Sequence, residues 1–306
     1  MDMSQDQYLL SEFKKMLKRN GVEQFLDFDT KFHHQFSVVS VRYEDALQGT
    51  NRMFPPNRWS YYRLVLVTQG AGDFITGIYK YKATANTLII IPPHVITTSY
   101  NWTDDAKGYI VLFNMDLFNQ NNFVYKGLSS KKILTSLVKP YTYISPEDTK
   151  SLSILFETIM SERKKNIENN KELVALKVIE LLLACEQLLM KEQNSDPQPA
   201  SSDLILRFRE LLEANYVHER SVTFYAKELG VHPNHLNAVM KKATGETAKE
   251  SIQNRLLMEI KLLLYSTNLS IKEISNQMGF TDANYLSTFF NKYEHMTPLQ
   301  YRSSFL

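Results

Sequence analysis

The chain has 306 residues, of which 43% are hydrophobic and 22% charged, so it can form two domains with buried cores and is not a disordered polymer. A formal net charge of +2 argues against a polycation that binds nucleic acid by bulk charge alone. Its single cysteine, Cys185, excludes a disulfide framework and a cysteine-based zinc site. The N-terminus has no signal-peptide pattern and no apolar run is long enough for a membrane span, so we expect a cytoplasmic protein without a membrane partner.

The first third of the chain favours β-strands. Segments rich in Val, Ile, Tyr and Phe alternate with turn-forming residues, which is typical of a sandwich or barrel. The predicted strands are 36–43, 63–69, 73–82, 87–91 and 109–115, and the predicted turns are 55–56, 70–72, 92–93 and 103–105.

Residues 145–193 favour helices. Ser145 and Pro146 supply an N-cap and a first helical residue, and apolar residues then recur at helical spacing until 168–170, which we interpret as a break. The second helix carries two apolar stripes, so one side is expected to rest on the strand domain and the other on a second copy of the chain. The first stripe is Val174, Val178, Leu181, Cys185 and Leu188, and the second is Leu176, Ile179 and Leu183. We therefore expect a homodimer through helices within 145–190, with packing inside one chain as the alternative.

A polar segment with two prolines separates this region from a C-terminal helical part. The predicted fold class is α+β with two domains. We expect a strand domain over 1–127, a helical dimerisation segment over 128–193, a linker over 194–202 and an all-α domain over 203–306.

The all-α domain contains an internal repeat, 221–245 and 270–295. Each copy has a short amphipathic helix, a glycine at a turn (Gly230 and Gly279), and a second helix that buries apolar residues at positions i and i+4. The opposite face of that second helix is polar and rich in amides. Such a face can bind base edges and phosphates in a major groove, although a solvated helix surface is the alternative.

A longer helix connects the two copies. A capping box, Thr247 with Glu250, predicts its start, and the helix spans 248–264. At 1.5 Å per residue it measures roughly 26 Å. Two second helices held about this far apart could enter successive major grooves, which repeat every ~34 Å along one side of DNA.

The repeat resembles the DNA-binding domain of the AraC/XylS family of bacterial transcription regulators. The resemblance rests on Ile274 to Phe280, Asp282, Tyr285, Phe290, Lys292, Thr297-Pro298 and Tyr301-Arg302 in the second copy, and on Ala226, Leu229, Leu236, Lys241-Lys242 and Gly245 in the first. It implies an all-α domain with two helix-turn-helix motifs that both contact promoter DNA, with RNA polymerase as a further partner. The predicted DNA contacts are Asn234, His235, Asn237, Ala238, Lys241, Lys242, Asn284, Ser287, Thr288, Asn291 and Lys292.

The sequence departs from the family at three positions. Ala238 and Thr288 stand where the family often has arginine, so base recognition is expected to depend on the amides or on DNA shape. His295 replaces the usual glycine after the second reading helix, which leaves the geometry of that loop open.

Residues 25–120 resemble the cupin-like sensor barrel of the same family, which binds a small-molecule effector. His33, His34 and His94 do not have the H-x-H spacing of a cupin metal site, so we expect no metal, no cofactor and no enzyme activity. Arg42, Arg58 and Arg63 are interpreted as surface charges, with contacts to an anionic or hydroxylated ligand as the alternative. The sequence identifies no residue that lines a pocket.

The sequence thus predicts a ligand-responsive, sequence-specific transcription regulator. Two alternatives stay open: a metal-dependent cupin enzyme with a helical appendage, and a DNA-binding dimer that senses nothing.

Overall fold

A computed structural model of the chain describes residues 38–47, 52–119, 132–135, 139–164, 167–195 and 202–305. His33, His34, residues 36–37 of the first predicted strand and 196–201 of the predicted linker lie outside these ranges. No helix within them has both the length and the apolar character needed to cross a membrane.

The N-terminal domain is built from two antiparallel sheets, one in the order β1-β8-β3-β6-β9 and the other in the order β2-β7-β4-β5. The strands are β1 Val38–Arg42, β2 Phe54–Asn57, β3 Tyr62–Gln69, β4 Ala71–Thr76, β5 Tyr79–Thr84, β6 Thr87–Ile91, β7 Thr97–Tyr100, β8 Lys107–Phe113 and β9 Tyr141–Tyr143. Side chains alternate along β3, because successive residues of a strand point to opposite faces. Leu64 and Leu66 join the cluster that faces the helices, whereas Val65 and Val67 join the cluster between the sheets.

The structure corrects three strand predictions. Residues 73–82 form parts of two strands joined by a turn at Gly77, where φ is +54°, rather than one continuous strand. Pro55 and Pro56, predicted as a turn, lie inside β2. The turn predicted over 70–72 is confined to Gly70, because β4 begins at Ala71.

Helices α1 to α5 surround the first sheet. They are α1 Tyr43–Leu47, α2 Asp116–Asn119, α3 Lys132–Thr135, α4 Pro146–Lys164 and α5 Ile167–Ser195. The predicted start of α4 is correct, since the Ser145 hydroxyl accepts a hydrogen bond from the Asp148 amide at 3.0 Å. Phe156 of α4 and Val178 of α5 are fully buried in one cluster with the outward side chains of β3.

Two predictions about the helical segment are wrong. Residues 168–170 do not break a helix, because α5 begins at Ile167 and runs through them. The segment 128–193 is not purely helical, because β9 pairs with β6 and completes the first sheet.

The C-terminal domain contains seven helices within the described range 202–305. They are α6 Ser202–Asn215, α7 Val222–Glu228, α8 Pro233–Thr244, α9 Ala248–Ser266, α10 Ile271–Gln277, α11 Ala283–Glu294 and α12 Pro298–Ser303. Helix α5 extends to Ser195 and α6 begins at Ser202, so the ends of the predicted linker 194–202 are helical.

The two domains are in contact through α9. Arg58, which follows β2, pairs with Glu259 of α9. Beside this ion pair, Ile96 of the sheet domain packs with Met258 and Leu262 of α9 in a separate apolar cluster. Helix α9, the long central helix of the C-terminal domain, therefore also packs against the sheet domain.

Candidate nucleic-acid interface

The repeat folds into two helix-turn-helix units, α7–α8 and α10–α11. Helix α7 begins after Ser221, whose hydroxyl accepts from the amide of Thr223 at 3.2 Å, and α10 begins with a capping box between Ser270 and Glu273. The predicted turn glycines both have positive φ, +70° at Gly230 and +64° at Gly279. A residue without a β-carbon is favoured there because L-residues are strained in this conformation.

The second helices of the two units begin with different caps. In the first unit the imidazole Nδ1 of His232 accepts from the amide of Asn234 at 3.2 Å, and Pro233 occupies the first helical position. In the second unit the carboxylate of Asp282 accepts from the amide of Tyr285 at 2.8 Å. Both caps fix the direction in which the helix leaves the turn.

Helices α8 and α11 bury the same face. From 233 to 242 and from 283 to 292 the order of buried, half-buried and exposed positions is identical. Leu236 and Met240 of α8 and Leu286 and Phe290 of α11 are fully buried. Burial of these anchors leaves the same outward face on both helices.

The predicted DNA contacts all lie on these outward faces. Asn237 and Ser287 are half-buried, and the other nine are exposed. Equivalent positions in the two helices lie 50 residues apart. The nine exposed residues are Asn234, His235, Ala238, Lys241, Lys242, Asn284, Thr288, Asn291 and Lys292.

Asn237 and Ser287 are already engaged within the domain. The Asn237 side-chain oxygen accepts from the Lys249 amide at 3.4 Å, which ties α8 to the start of α9, and its Nδ2 has no partner in the described chain. The Ser287 hydroxyl donates to the Ala283 carbonyl at 2.8 Å and can still accept a hydrogen bond. These contacts orient both side chains.

The predicted DNA contacts do not include Tyr285, a residue that is 56% exposed. It occupies in α11 the position that His235 occupies in α8, so the 50-residue offset could have identified it. Its ring lies edge-on to Phe280, with ring centroids 5.7 Å apart. This contact holds a large aromatic side chain on the outward face of α11.

Two side-chain contacts and the length of α9 fix the two units relative to each other. Arg220, which precedes α7, donates to the carbonyls of Met278 and Gly279 at 2.7 and 3.1 Å, in the turn of the second unit. Lys261 of α9 pairs with Glu294 of α11 at 2.8 Å. Helix α9 has 19 residues, two more than predicted, which gives a spacer of about 28 Å.

Two arginines, Arg255 and Arg302, bind other groups within this domain. Arg255 is 4% exposed and pairs with Glu213 and Glu259 at 2.9 Å each. Burial lowers its pKa, but the two carboxylates outweigh this effect and raise the pKa of Arg255 overall. Arg302 donates to the carbonyls of Leu264 and Leu269 at 3.1 and 2.6 Å, which holds α12 against α9.

The sheet domain contains no group of three His, Cys, Asp or Glu side chains placed to hold a metal within the described ranges. His94 lies exposed in a turn with a φ of +63°. The surface interpretation of Arg63 is wrong, because this residue is only 4% exposed. Arg42 and Arg58 are partly exposed and pair with Glu157 and Glu259.

Comparison with known protein families adds to this geometry. The helix-turn-helix domain family matches residues 225–304. The AraC-like ligand binding domain family matches residues 42–176. The chain belongs to the AraC family of transcription regulators.

Relatives of this AraC-type regulator match most of its length. The uncharacterized HTH-type transcriptional regulator YfiF of Bacillus subtilis is 22% identical over 281 residues, 90% of this chain and 84% of the relative. The transcriptional activator RhaS of Escherichia coli is 22% identical over 267 residues, 86% of this chain and 92% of the relative. A solved structure of Vibrio cholerae ToxT with a bound unsaturated fatty acid aligns with a TM-score of 0.41 and 16% identity over 87% of this chain and 93% of that chain.

The AraC-type regulator thus combines a ligand-binding sheet domain with a DNA-binding helical domain, as the sequence predicted. The alternative of a metal-dependent cupin enzyme is not favoured, because the relatives are transcription regulators.

Proposed function

We propose that this regulator reads promoter DNA with the outward faces of α8 and α11. The observation that carries the proposal is the identical burial pattern of the two helices, which presents equivalent residues 50 positions apart. Asn234 and Asn284 would reach base edges, and Lys241, Lys242 and Lys292 would contact phosphates. Tyr285 joins this set as an aromatic contact.

DNA binding should depend strongly on salt, although each monomer neutralises few phosphates. The domain over 203–306 carries 12 Lys and Arg against 11 Asp and Glu, so few phosphates are neutralised per monomer. Tight binding then calls for two copies on adjacent half-sites.

We infer that the active form is a homodimer joined through α4 and α5. Leu173 and Leu176 of α5 are 39% and 45% exposed, and Ile154 of α4 is 59% exposed. Exposed apolar side chains on adjacent helices are typical of an interface between proteins. Leu176 belongs to the second of the two apolar stripes on this helix.

The sheet domain is proposed to bind a small effector that changes the arrangement of the two domains. Ile96 of the sheet domain packs on Met258 and Leu262 of α9, so a change in the sheet domain can alter the position of α9. RNA polymerase is proposed as a further partner, since the similar protein RhaS is a transcriptional activator. We infer a regulator without catalytic activity that works in the cytoplasm, beside the chromosome.

A selection from random duplex DNA would test the reading faces. The selected sequence is then titrated against the wild type and a double variant, Asn234→Ala with Asn284→Ala, which removes two exposed side chains that the domain itself does not use. Each lost base contact costs ~1–3 kcal/mol, so we expect a loss of roughly 100-fold in specific affinity. Asn276→Ala, on the exposed side of α10, is the matched control and should bind as the wild type does. Equal affinity of the double variant and the wild type would refute the assignment of the reading faces.

A further inference from the structure

The interior of the sheet domain contains a buried cation. Arg63 lies on β3, on the same side of the strand as Val65 and Val67, so its side chain enters the space between the two sheets. It is 4% exposed. A buried cation is costly unless an anion or several hydrogen bonds compensate for its lost hydration.

The partners of Arg63 are all uncharged. Its Nη1 donates to the side-chain oxygen of Asn57 at 2.6 Å, and its Nη2 donates to the carbonyl of Val95 at 3.2 Å. The ring of Trp59 lies 4.8 Å from the guanidinium carbon. The Nε is buried and has no hydrogen-bond partner, and no carboxylate pairs with Arg63 within the described residues.

Hydroxyl groups line the same interior. The Thr76 hydroxyl lies 3.0 Å from the Tyr81 hydroxyl and 3.2 Å from the Thr97 hydroxyl, and all three residues are buried. Burial raises the pKa of Tyr81, and the nearby charge of Arg63 opposes this rise, so the phenol stays protonated. The ring of Phe74 stacks on that of Tyr81 with centroids 5.7 Å apart.

The charge of Arg63 persists at neutral pH. Burial lowers its pKa to about 9, which still leaves the guanidinium protonated at pH 7. A guanidinium has five N–H donors in a planar fork that matches the two oxygens of a carboxylate. Arg63 therefore offers unused donors and an unmatched positive charge within a ligand-binding domain.

We propose that Arg63 is the recognition group for an anionic effector, a carboxylate on an aromatic or apolar body, held between the two sheets of the barrel. The carboxylate would pair with Nε and the free donors of the guanidinium, and the rings of Phe74 and Trp59 would contact the body. This proposal rests on the proposed function, in which the sheet domain binds a small effector.

The same residue connects the effector to the DNA-binding domain. Asn57 ends β2, which packs on α9, and Val95 precedes Ile96, which packs on Met258 of that helix. An anion that competes for the guanidinium would weaken its bonds to Asn57 and Val95. The surface that the barrel presents to α9 would then change.

The test measures binding of benzoate and hexanoate to the full chain by thermal shift and calorimetry. Benzamide and hexanamide are the neutral counterparts, and inorganic phosphate is the anion without an apolar body. We expect both carboxylates to raise the melting temperature and to bind at least about tenfold more tightly than the amides. A response to phosphate alone would identify a phosphorylated effector class and contradict the carboxylate.

Two variants assign the effect to Arg63. Arg63→Met should lose the response to carboxylates, and Arg63→Lys, which keeps the charge without the fork, should weaken it. Arg42→Met is the matched control, because Arg42 pairs with Glu157 on the outside of the barrel, and should respond as the wild type does. The circular dichroism spectrum and the melting temperature of each variant without ligand show whether its sheet domain is folded, because DNA binding reports only on the helical domain.

Three further outcomes would overturn the proposal. The first is equal binding of amides and carboxylates, or a response by neutral sugars alone; the sheet domain would then sense an effector, and only the anion proposal would fail. The second is an unchanged carboxylate response in Arg63→Met. No response to any compound contradicts the anion proposal and removes the support for an effector, whereas DNA binding is measured separately.

Discussion

At the residue scale, the two copies of the helix-turn-helix place different residues in the same left-handed conformation at the end of the second helix. The residue after α8 is Gly245, with a φ of +80°, and the residue after α11 is His295, with a φ of +57°. The loop geometry that the sequence left open is thus the same in both copies. A histidine in the left-handed region is strained, so the second loop is less stable than the first.

Replacement of this histidine should stabilise the protein. His295→Gly removes the left-handed strain and should raise the free energy of unfolding by about 1 kcal/mol. Chemical denaturation at equilibrium measures the change. A decrease in stability would show that the imidazole makes a contact worth more than the strain.

The turn glycines Gly230 and Gly279 share a positive φ but differ in the space around them, so the same substitution can be compared at both positions. A β-carbon at Gly279 would lie 3.1 Å from the Val217 carbonyl oxygen, whereas one at Gly230 would have no heavy atom within 4 Å. Both positions have positive φ, so Gly230→Ala should cost about 1 kcal/mol from backbone strain alone. Gly279→Ala should cost more, and an equal loss in both variants would contradict this account.

At the element scale, local signals were predicted from the sequence more successfully than pairings. The capping box at Thr247 and the cap at Ser145 are short-range signals, and the structure confirms both helix starts. The strand β2 was missed because Pro55 and Pro56 read as a turn. β2 lies at the edge of its sheet and pairs only through Phe54 and Asn57, so two residues without an N–H are tolerated there.

The cap of α9 predicts a dependence of stability on pH. The amide and hydroxyl of Thr247 donate to the carboxylate of Glu250 at 2.7 and 2.9 Å, and these hydrogen bonds lower the pKa of Glu250. A carboxylate with a lowered pKa stabilises the fold above its unfolded pKa, and this contribution is lost as the pH falls through the folded value. Stability should therefore decline below about pH 4.5, near the reference pKa of a glutamate.

Glu250→Gln is the variant that isolates this effect. Gln can occupy the same position, as Gln300 does in the capping box with Thr297, so the helix should keep its start. The decline in melting temperature between pH 5 and pH 3, roughly the range in which a glutamate titrates, should become shallower. Thr247→Ala, which removes the hydroxyl, should cost about 1 kcal/mol at neutral pH.

At the scale of the whole molecule, the sequence indicated both domains but not their contact. The repeat at a 50-residue offset was sufficient to predict two reading helices. The pair of Arg58 and Glu259 joins residues 201 positions apart, and no local pattern specifies such a pairing. Arg63 was assigned to the surface because arginine is rarely buried without a partner, and its place in the barrel depends on the register of β3.

Arg220 is predicted to hold the two reading helices at a fixed spacing. Arg220→Ala removes its bonds to the carbonyls of Met278 and Gly279, so each unit should keep its fold while the two move more independently. Specific DNA affinity should fall by about tenfold or more, because docking then has to restrict this motion. Arg207→Ala, an exposed position on α6 that lies 3.8 Å from Asp203, is the control. A decrease of equal size in both variants would contradict the role of Arg220.

Two arginines share the carboxylate of Glu259, and this arrangement affects how the two domains can separate. Arg58 reaches this carboxylate from the sheet domain, while Arg255 reaches it from within α9 itself. If the domains separate, Arg58 regains water and Glu259 keeps its neighbour on the helix, so the interior is never left with a stranded negative charge. Separation of the domains would therefore leave no unpaired carboxylate on α9, and its cost would come mainly from exposing the apolar contact of Ile96 with Met258 and Leu262.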